Sequence, residues 1–137
     1  MSIGLANGLA IVILVDTHVL VWLYVGLLGR IPDAVRERLG REQMALSPFV
    51  QLELAYMCQI GRIRDPIAMV IGDLTARLEL VVADVSASTV CTVASGLTWT
   101  CDPFDRLLSA HAIATNLPLV TKDATLRHHL PLAWWAD

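Results

Sequence analysis

The 137-residue sequence has little charge, no basic excess and few cysteines. Only 17% of its residues are charged, whereas 55% are hydrophobic, and the net charge is −3. The low charge predicts a heavily buried sheet, an apolar subunit interface or both, so we expect a homodimer. The lack of a basic excess argues against a nucleic-acid binder that relies on overall positive charge. Any nucleic acid would have to bind a local basic groove.

The cysteines and the apolar start of the chain limit its cellular setting. Cys58, Cys91 and Cys101 form no CxxC pair, and no secretory signal with a small-residue cleavage site is evident, so a reducing cytoplasm is expected. Residues 2–29 carry Asp16 as their only charged side chain. A central aspartate, two early glycines and the lack of a preceding Lys or Arg nevertheless argue against a membrane span.

Three common catalytic patterns are also missing. The sequence has no GxSxG motif, no glycine-rich phosphate loop and no His/Cys set with zinc-ligand spacing. These absences argue against a serine hydrolase, a P-loop NTPase and a zinc enzyme. The four histidines are interpreted as structural or solvated residues: His18, His111, His128 and His129.

Apolar runs typical of buried strands alternate with helix signals along the chain. Ser47-Pro48, Asp65-Pro66 and Asp102-Pro103 each predict a helix start, because Ser or Asp can cap the first turn and proline suits its first position. The pattern predicts an α/β fold in one domain, residues 11–137, with a mostly parallel sheet flanked by helices on both faces, after an N-terminal extension of residues 1–10. The predicted strands are residues 11–15, 44–46, 78–82 and 117–121, and the predicted helices are residues 19–28, 32–39, 48–60, 66–77, 86–95 and 103–115.

Two aspartates follow buried strands. Asp16 ends the first strand, and Asp123 comes just beyond the last one. The carboxyl edge of an open α/β sheet is where ligands bind, which makes both residues candidates for a site. The alternative for each is a turn or helix-capping role.

Glu53 lies in the middle of a predicted helix, on a face shared with Phe49, Tyr56 and Ile60. An unpaired buried carboxylate costs several kcal/mol, so it needs protonation, a cation partner or a metal. The alternative to a metal is a salt bridge to Arg62 or Arg106.

Asp102 and Asp105 occupy the start of one predicted helix. The proline after Asp102 favours a capping role for that residue. Asp105 can instead project sideways from the first turn toward the strand ends. Arg106 beside it could pair with a neighbouring acid or hold a phosphate.

A cluster of carboxylates without convergent His or Cys suits Mg²⁺ or Mn²⁺ and suits zinc poorly. Such ions can activate a water and neutralise charge on a leaving oxygen, which points to phosphodiester chemistry.

Four segments in this order resemble the PIN-domain toxins of the VapC family: residues 15–23 (VDTHVLVWL), residues 47–62 with Ser47, Glu53 and Gly61, residues 102–108 (DPFDRLL) and residues 119–123 (LVTKD). The resemblance implies a PIN fold and a Mg²⁺- or Mn²⁺-dependent endoribonuclease, usually homodimeric and held inactive by a cognate antitoxin. Its substrates would be structured RNAs, including transfer and ribosomal RNA.

The resemblance also implies roles for individual residues. The catalytic and metal-binding acids would be Asp16, Glu53, Asp105 and Asp123. Accessory roles would fall to Asp102, Thr17, Thr121 and Arg106, and RNA contacts to Arg62, Lys122 and Arg127.

Two other hypotheses remain open from the residues. One is a catalytically silent PIN-like interaction module, in which the apolar surface binds a partner. The other is a receiver-like phosphoacceptor signalling domain, which the strand-end aspartates with Thr121 and Lys122 would suit.

Overall fold

The computed structural model describes residues 11–137, and the predicted extension, residues 1–10, lies outside the described residues. Within residues 11–137 the strands are Val12–Val15 (β1), Gln43–Leu46 (β2), Val81–Val82 (β3), Leu119–Val120 (β4) and Ala133–Trp134 (β5). The α-helices are Thr17–Val25 (α1), Asp33–Arg41 (α2), Pro48–Gln59 (α3), Ile67–Leu78 (α4), Ala87–Ser95 (α5), Pro103–Thr115 (α6) and Ala124–His129 (α7), with a 3₁₀ turn at Leu28–Arg30.

The strands form one sheet in the order β3-β2-β1-β4-β5, and every pairing is parallel. Ile13 of β1 lies opposite Met44 of β2, and Val15 lies opposite Val120 of β4. The central strand is covered on both sides, because Ile13 and Leu14, which project to opposite faces of the sheet, are both fully buried, and this explains its uninterrupted apolar run. The predicted α/β fold with a mostly parallel sheet and flanking helices is confirmed.

The chain order reverses beside the central strand. From β1 the chain runs to β2 and β3 on one side, and then returns to β4 on the other side of β1. In such sheets the crevice at the carboxyl ends of the two strands beside the reversal is the usual ligand site. The topology therefore brings the residues after β1 and β4 to the same place.

Two of the three predicted helix starts have the predicted cap. The Ser47 hydroxyl accepts from the Phe49 backbone N–H at 3.3 Å, and the Asp102 carboxylate accepts from the Phe104 N–H at 2.8 Å. The third is wrong in detail, because α4 has no side-chain cap. Asp65 accepts instead from the Tyr24 hydroxyl, a long-range partner that local spacing could not predict.

Several predicted boundaries were also wrong. Helix α1 ends at Val25, because Gly26 takes a left-handed conformation with φ of 82°. Helix α2 continues through Gly40 to Arg41. An ion pair between Arg38 and Glu42 spans the last turn and helps to stabilise it. The strands predicted at residues 78–82 and 117–121 are only two residues long, and α7 and β5 were not predicted because both are too short to show periodicity.

None of the helices in the described part of the chain is long and apolar enough to cross a membrane. The apolar stretch around Asp16 instead forms β1 and α1, whose side chains Leu14, Val19 and Leu20 are fully buried in the main core. A second, smaller cluster of Val90, Ala94 and Ala110 lies between α5 and α6.

Candidate active site

Asp16 lies at the carboxyl end of β1, beside the end of β4. Its backbone N–H donates to the Val120 carbonyl at 3.0 Å, which extends the pairing of the two strands by one step. Its carboxylate accepts a hydrogen bond from the buried Thr121 hydroxyl at 2.6 Å and does not cap α1. The Asp16 side chain is therefore aimed across the strand ends rather than used as a helix cap.

Asp123 reaches the same edge from β4. The Thr121 hydroxyl that donates to Asp16 also accepts from the Asp123 backbone N–H at 3.1 Å, so one threonine links the two acids. One carboxylate oxygen of Asp123, Oδ1, caps α7 by accepting from the Leu126 N–H at 2.9 Å. The capping role is thus present, and it fixes the carboxylate beside Asp16 while leaving Oδ2 free of the cap.

Glu53 comes from the middle of α3. Its carboxylate accepts from the Thr17 hydroxyl at 2.5 Å, so the residue directly after Asp16 positions it. Among residues 11–137 it forms no ion pair, which removes the alternative of a salt bridge to Arg62 or Arg106. The Arg106 side chain donates instead to the Thr100 carbonyl at 2.7 Å and braces the loop before α6.

Asp102 has the predicted capping role, and Asp105 does not cap the helix. Asp102 caps α6, and its carboxylate also accepts from the Asp105 backbone N–H at 3.2 Å. The Asp105 side chain is half-buried. Burial, reinforced by the charges of Asp102, Asp123, Asp16 and Glu53, raises the pKa of Asp105 to about 7. These four acids therefore lie close enough to Asp105 for their charges to act on it.

The same effects act on the other acids. Burial raises the pKa of Asp16, the Thr121 hydrogen bond opposes the rise, and the charge of Asp123 adds to it. Burial also raises the pKa of Glu53, with a further contribution from Asp16. None of the four predicted acids has an ion-pair partner within the described residues. Each is therefore held near like charges without a salt bridge to offset them.

This donor set fits a hard divalent cation. The groups are carboxylate oxygens, which Mg²⁺ and Mn²⁺ prefer, and their mutual repulsion is the kind that a bound cation relieves. In residues 11–137 no three acidic, His or Cys groups are close enough together to form a complete metal-binding cluster. The side chains are gathered around the site but not closed into a coordination shell.

Two cavities flank the acids. One, of about 290 Å³, is lined by Asp16, His18, Val19, Trp22, Lys122 and Asp123. The other, of about 310 Å³, includes Glu53, Tyr56, Arg62, Asp102 and Phe104, and His18 lines both. Two of the predicted RNA-contacting residues, Lys122 and Arg62, thus stand in cavity walls, whereas Arg127 lies 3.5 Å from Asp137 as an ion pair.

His18 and Trp22 are not among the predicted site residues. His18 is exposed, as a solvated histidine would be, but it lies between the two cavities and its charge opposes the rise in the pKa of Asp16 and of Glu53. The available signal was position, because His18 lies two residues beyond the strand-end aspartate and Trp22 follows one helical turn later on α1.

Comparison with known proteins places this arrangement in a family. The PIN domain family model matches residues 13–129. A chain in the VapBC2 complex of Rickettsia felis bound to a promoter DNA fragment has a TM-score of 0.67 and 20% identity, over 92% of this chain and 100% of that chain. A chain in the DNA-bound VapBC complex of Salmonella typhimurium has a TM-score of 0.65 and 21% identity, over 94% and 98%.

A third similar structure is VapBC-1 from nontypeable Haemophilus influenzae, with a TM-score of 0.64 and 16% identity over 93% of this chain and 98% of that chain. No curated protein sequence matches this chain. The predicted PIN-domain resemblance is confirmed by the family model, and the fold is that of these VapBC chains. The receiver-like alternative loses its support.

Proposed function

We propose that this chain, which belongs to the PIN-domain family of nucleases, is the toxin of a toxin–antitoxin pair and hydrolyses RNA internally with Mg²⁺ or Mn²⁺. The observation that carries the proposal is a set of four carboxylates from four separate elements: the charges of Asp16, Glu53 and Asp123 add to the rise in the pKa of Asp105, and none of the four has an ion-pair partner among residues 11–137. Such a set is unfavourable for stability alone, because the charges repel one another in a partly buried site.

Threonine hydroxyls position two of the four acids. Asp16, Asp105, Asp123 and Glu53 would hold the metal. The Thr121 hydroxyl fixes the Asp16 carboxylate, and the Thr17 hydroxyl fixes Glu53. A bound divalent ion supplies a nucleophilic water at neutral pH and neutralises charge on the scissile phosphate. The raised pKa of Asp105 belongs to the metal-free site, and a bound cation would favour its carboxylate form.

The proposed partners follow from the solved relatives. Those structures are VapBC complexes, and we propose by analogy that a cognate antitoxin binds this chain and holds it inactive. The low charge of the sequence supports a homodimer through an apolar interface. The three free thiols, Cys58, Cys91 and Cys101, are consistent with action in the cytoplasm.

A cleavage assay tests the proposal. The purified chain is incubated with labelled transfer RNA and ribosomal RNA in MgCl₂, in MnCl₂ or in EDTA. We expect internal cleavage with either metal and none in EDTA. Asp16→Ala should lose the activity while keeping the circular dichroism spectrum of the parent.

The matched control is Asp33→Ala, which removes an exposed acid of α2 that pairs with Arg36 and should leave cleavage unchanged. Cleavage that persists in EDTA, or full activity in Asp16→Ala, would contradict the proposal. No cleavage by the parent chain together with no heat of Mn²⁺ binding would favour the catalytically silent PIN-like module.

A further inference from the structure

We infer that the cavity beside Asp16 and Asp123 binds one unpaired nucleobase of the RNA, stacked on the indole ring of Trp22. The inference rests on the proposed function and specifies its substrate as a single-stranded or looped segment. The cavity has both an aromatic wall and an acidic wall, since Trp22 and Lys122 line it together with the two aspartates.

The Trp22 ring packs against a second tryptophan, Trp135. Its ring meets that of Trp135 edge to face, with centroids 6.3 Å apart and planes at 67°. Trp135 is only 8% exposed and belongs to the main core. Because the supporting ring is anchored, a base that stacks on Trp22 meets a wall that is already ordered.

Two cations stand near the ring without a carboxylate partner. The Lys122 ammonium lies 5.9 Å from the Trp22 ring centroid, and the Arg30 guanidinium carbon lies 5.9 Å from it as well. Neither residue forms an ion pair within residues 11–137. Both cations lie over the ring, so a base that stacks there would take their place and leave their charges available to its flanking phosphates.

Trp134 provides a comparison, because it forms a cation–π contact with an arginine whose charge is already paired. The Arg38 guanidinium carbon lies 4.6 Å from the Trp134 ring centroid, and Arg38 is also paired with Glu42 at 2.6 Å. Its charge is thus already neutralised within the protein. In the described residues neither Lys122 nor Arg30 forms such an ion pair, and this distinguishes the Trp22 site.

The size and surroundings of the cavity select an unpaired base. A volume of about 290 Å³ lies at the lower limit for small-molecule pockets and suits one flat ring. In a duplex the bases are stacked on their neighbours, whereas bases in loops can be splayed out onto aromatic side chains. A base on Trp22 places its adjoining phosphate toward Asp16 and Asp123, where the proposed metal would act.

Binding can be measured without cleavage. The probe is a fluorescein-labelled 12-nucleotide RNA without self-complementarity, used alone and annealed to its complement, in EDTA at low salt. Fluorescence anisotropy should show tighter binding of the single strand by the parent chain. Trp22→Leu should weaken single-strand binding by about 5- to 100-fold and leave duplex binding nearly unchanged.

Matched variants separate stacking from charge and from folding. Trp99→Leu removes a tryptophan that stacks on His129 outside the cavity, and should bind like the parent. Trp22→Phe keeps a ring and should retain most of the affinity, while the RNA-induced quenching of Trp22 fluorescence disappears. Lys122→Ala should weaken single strand and duplex alike and reduce the slope of log affinity against log salt by about one.

The outcomes distinguish this inference from the proposed function. Equal loss of affinity in Trp22→Leu and Trp99→Leu, or unchanged quenching in Trp22→Phe, would overturn the stacking site. A chain that cleaves RNA with metal but shows no single-strand preference would overturn the site alone. A chain that shows the Trp22-dependent binding but never cleaves would overturn the proposed function and leave the site standing.

Discussion

The acids of helices α2 and α4 and the acids at the carboxyl edge of the sheet are the same chemical groups in opposite surroundings. On α4, Asp73 is paired with Arg77 at 2.7 Å, and the hydrogen bonds from Arg77 lower the pKa of Asp73. At the sheet edge, burial and neighbouring carboxylates raise the pKa of Asp105 to about 7. The acids of α2 and α4 are neutralised by arginines of the same chain. The acids at the sheet edge have no such partner among residues 11–137 and are available to a cation from solution.

The presence or absence of an ion-pair partner distinguishes candidate functional acids from structural ones better than their burial or their position in the fold does. Surface ion pairs such as Asp33–Arg36 and Asp73–Arg77 follow helical spacing and contribute little to stability. The four site acids follow no such spacing, and their mutual repulsion destabilises the metal-free fold. Strongly perturbed acids that gather in a cleft are typical of functional sites.

The largest expected effect separates the two classes of acid by activity. Asp105→Asn keeps the shape of the side chain but removes its charge, and we expect RNA cleavage to fall by at least about 100-fold. Asp73→Asn makes the same chemical change in a paired acid and should leave the rate unchanged. Initial rates measured at saturating Mg²⁺ check both. Similar cleavage rates in the two variants would contradict the distinction between site acids and paired acids.

The next effect concerns a group that positions an acid without being one. Thr121→Val removes the hydroxyl that donates to Asp16 at 2.6 Å, and the loss in metal affinity or rate should be about 10- to 100-fold. Thr92→Val removes a hydroxyl that bonds only to the Ser88 carbonyl on exposed α5, and should have no effect. Calorimetric Mn²⁺ titration reports the affinity. A normal affinity and rate in Thr121→Val would show that Asp16 needs no such support.

A smaller effect is the pH dependence of stability without metal. Since the pKa of Asp105 is raised from 3.8 to about 7, its protonated form stabilises the fold at low pH, and that stability is lost as pH rises through 7. Asp105→Asn should match the parent only below about pH 3.8, become the more stable protein between about pH 3.8 and 7, and exceed the parent by about 1–2 kcal/mol at pH 8, a figure discounted for partial exposure. Urea denaturation in EDTA measures the difference.

The stability of the parent must be compared with that of the variant at each pH, because His111 has the opposite effect on the pH dependence of stability. Burial lowers the pKa of His111 below 6.5, so its contribution to stability is lost as pH falls. His111 is common to both proteins and cancels in the comparison. Adding Mg²⁺ at pH 8 should make the parent more stable to urea than Asp105→Asn. A variant less stable than the parent at pH 8 in EDTA would contradict the repulsion.

The smallest effect is expected in the paired region. Asp73→Asn breaks an exposed pair and should lower the denaturation midpoint by no more than a few degrees. The loss should shrink at high salt, because exposed charges are screened. A thermal melt at low and high NaCl checks this. A large loss that salt does not alter would show that the pair is structural.

The strand-end acids and the sheet could be predicted because their signals are local. The apolar run before Asp16 and the short run before Asp123 identify buried parallel strands, and parallel strands bring such residues to one edge. The Asp102-Pro103 start separated a capping aspartate from Asp105 for a similarly local reason.

The remaining features depend on contacts between distant parts of the chain. The partner of Glu53 is Thr17, 36 residues away, and the partner of the predicted cap Asp65 is Tyr24, 41 residues away. Neither pairing leaves a mark in local spacing. The aromatic wall at Trp22 was missed for the same reason, since its support comes from Trp135 near the other end of the chain.

Calorimetric titration of Mn²⁺ into the parent chain, into Asp16→Asn and into Asp73→Asn shows whether the unpaired acids bind a divalent cation. We expect a measurable heat of binding with the parent at pH 8, a large loss of affinity in Asp16→Asn, and parent-like binding in Asp73→Asn. Absence of binding to the parent, or equal binding to parent and Asp16→Asn, would contradict this expectation.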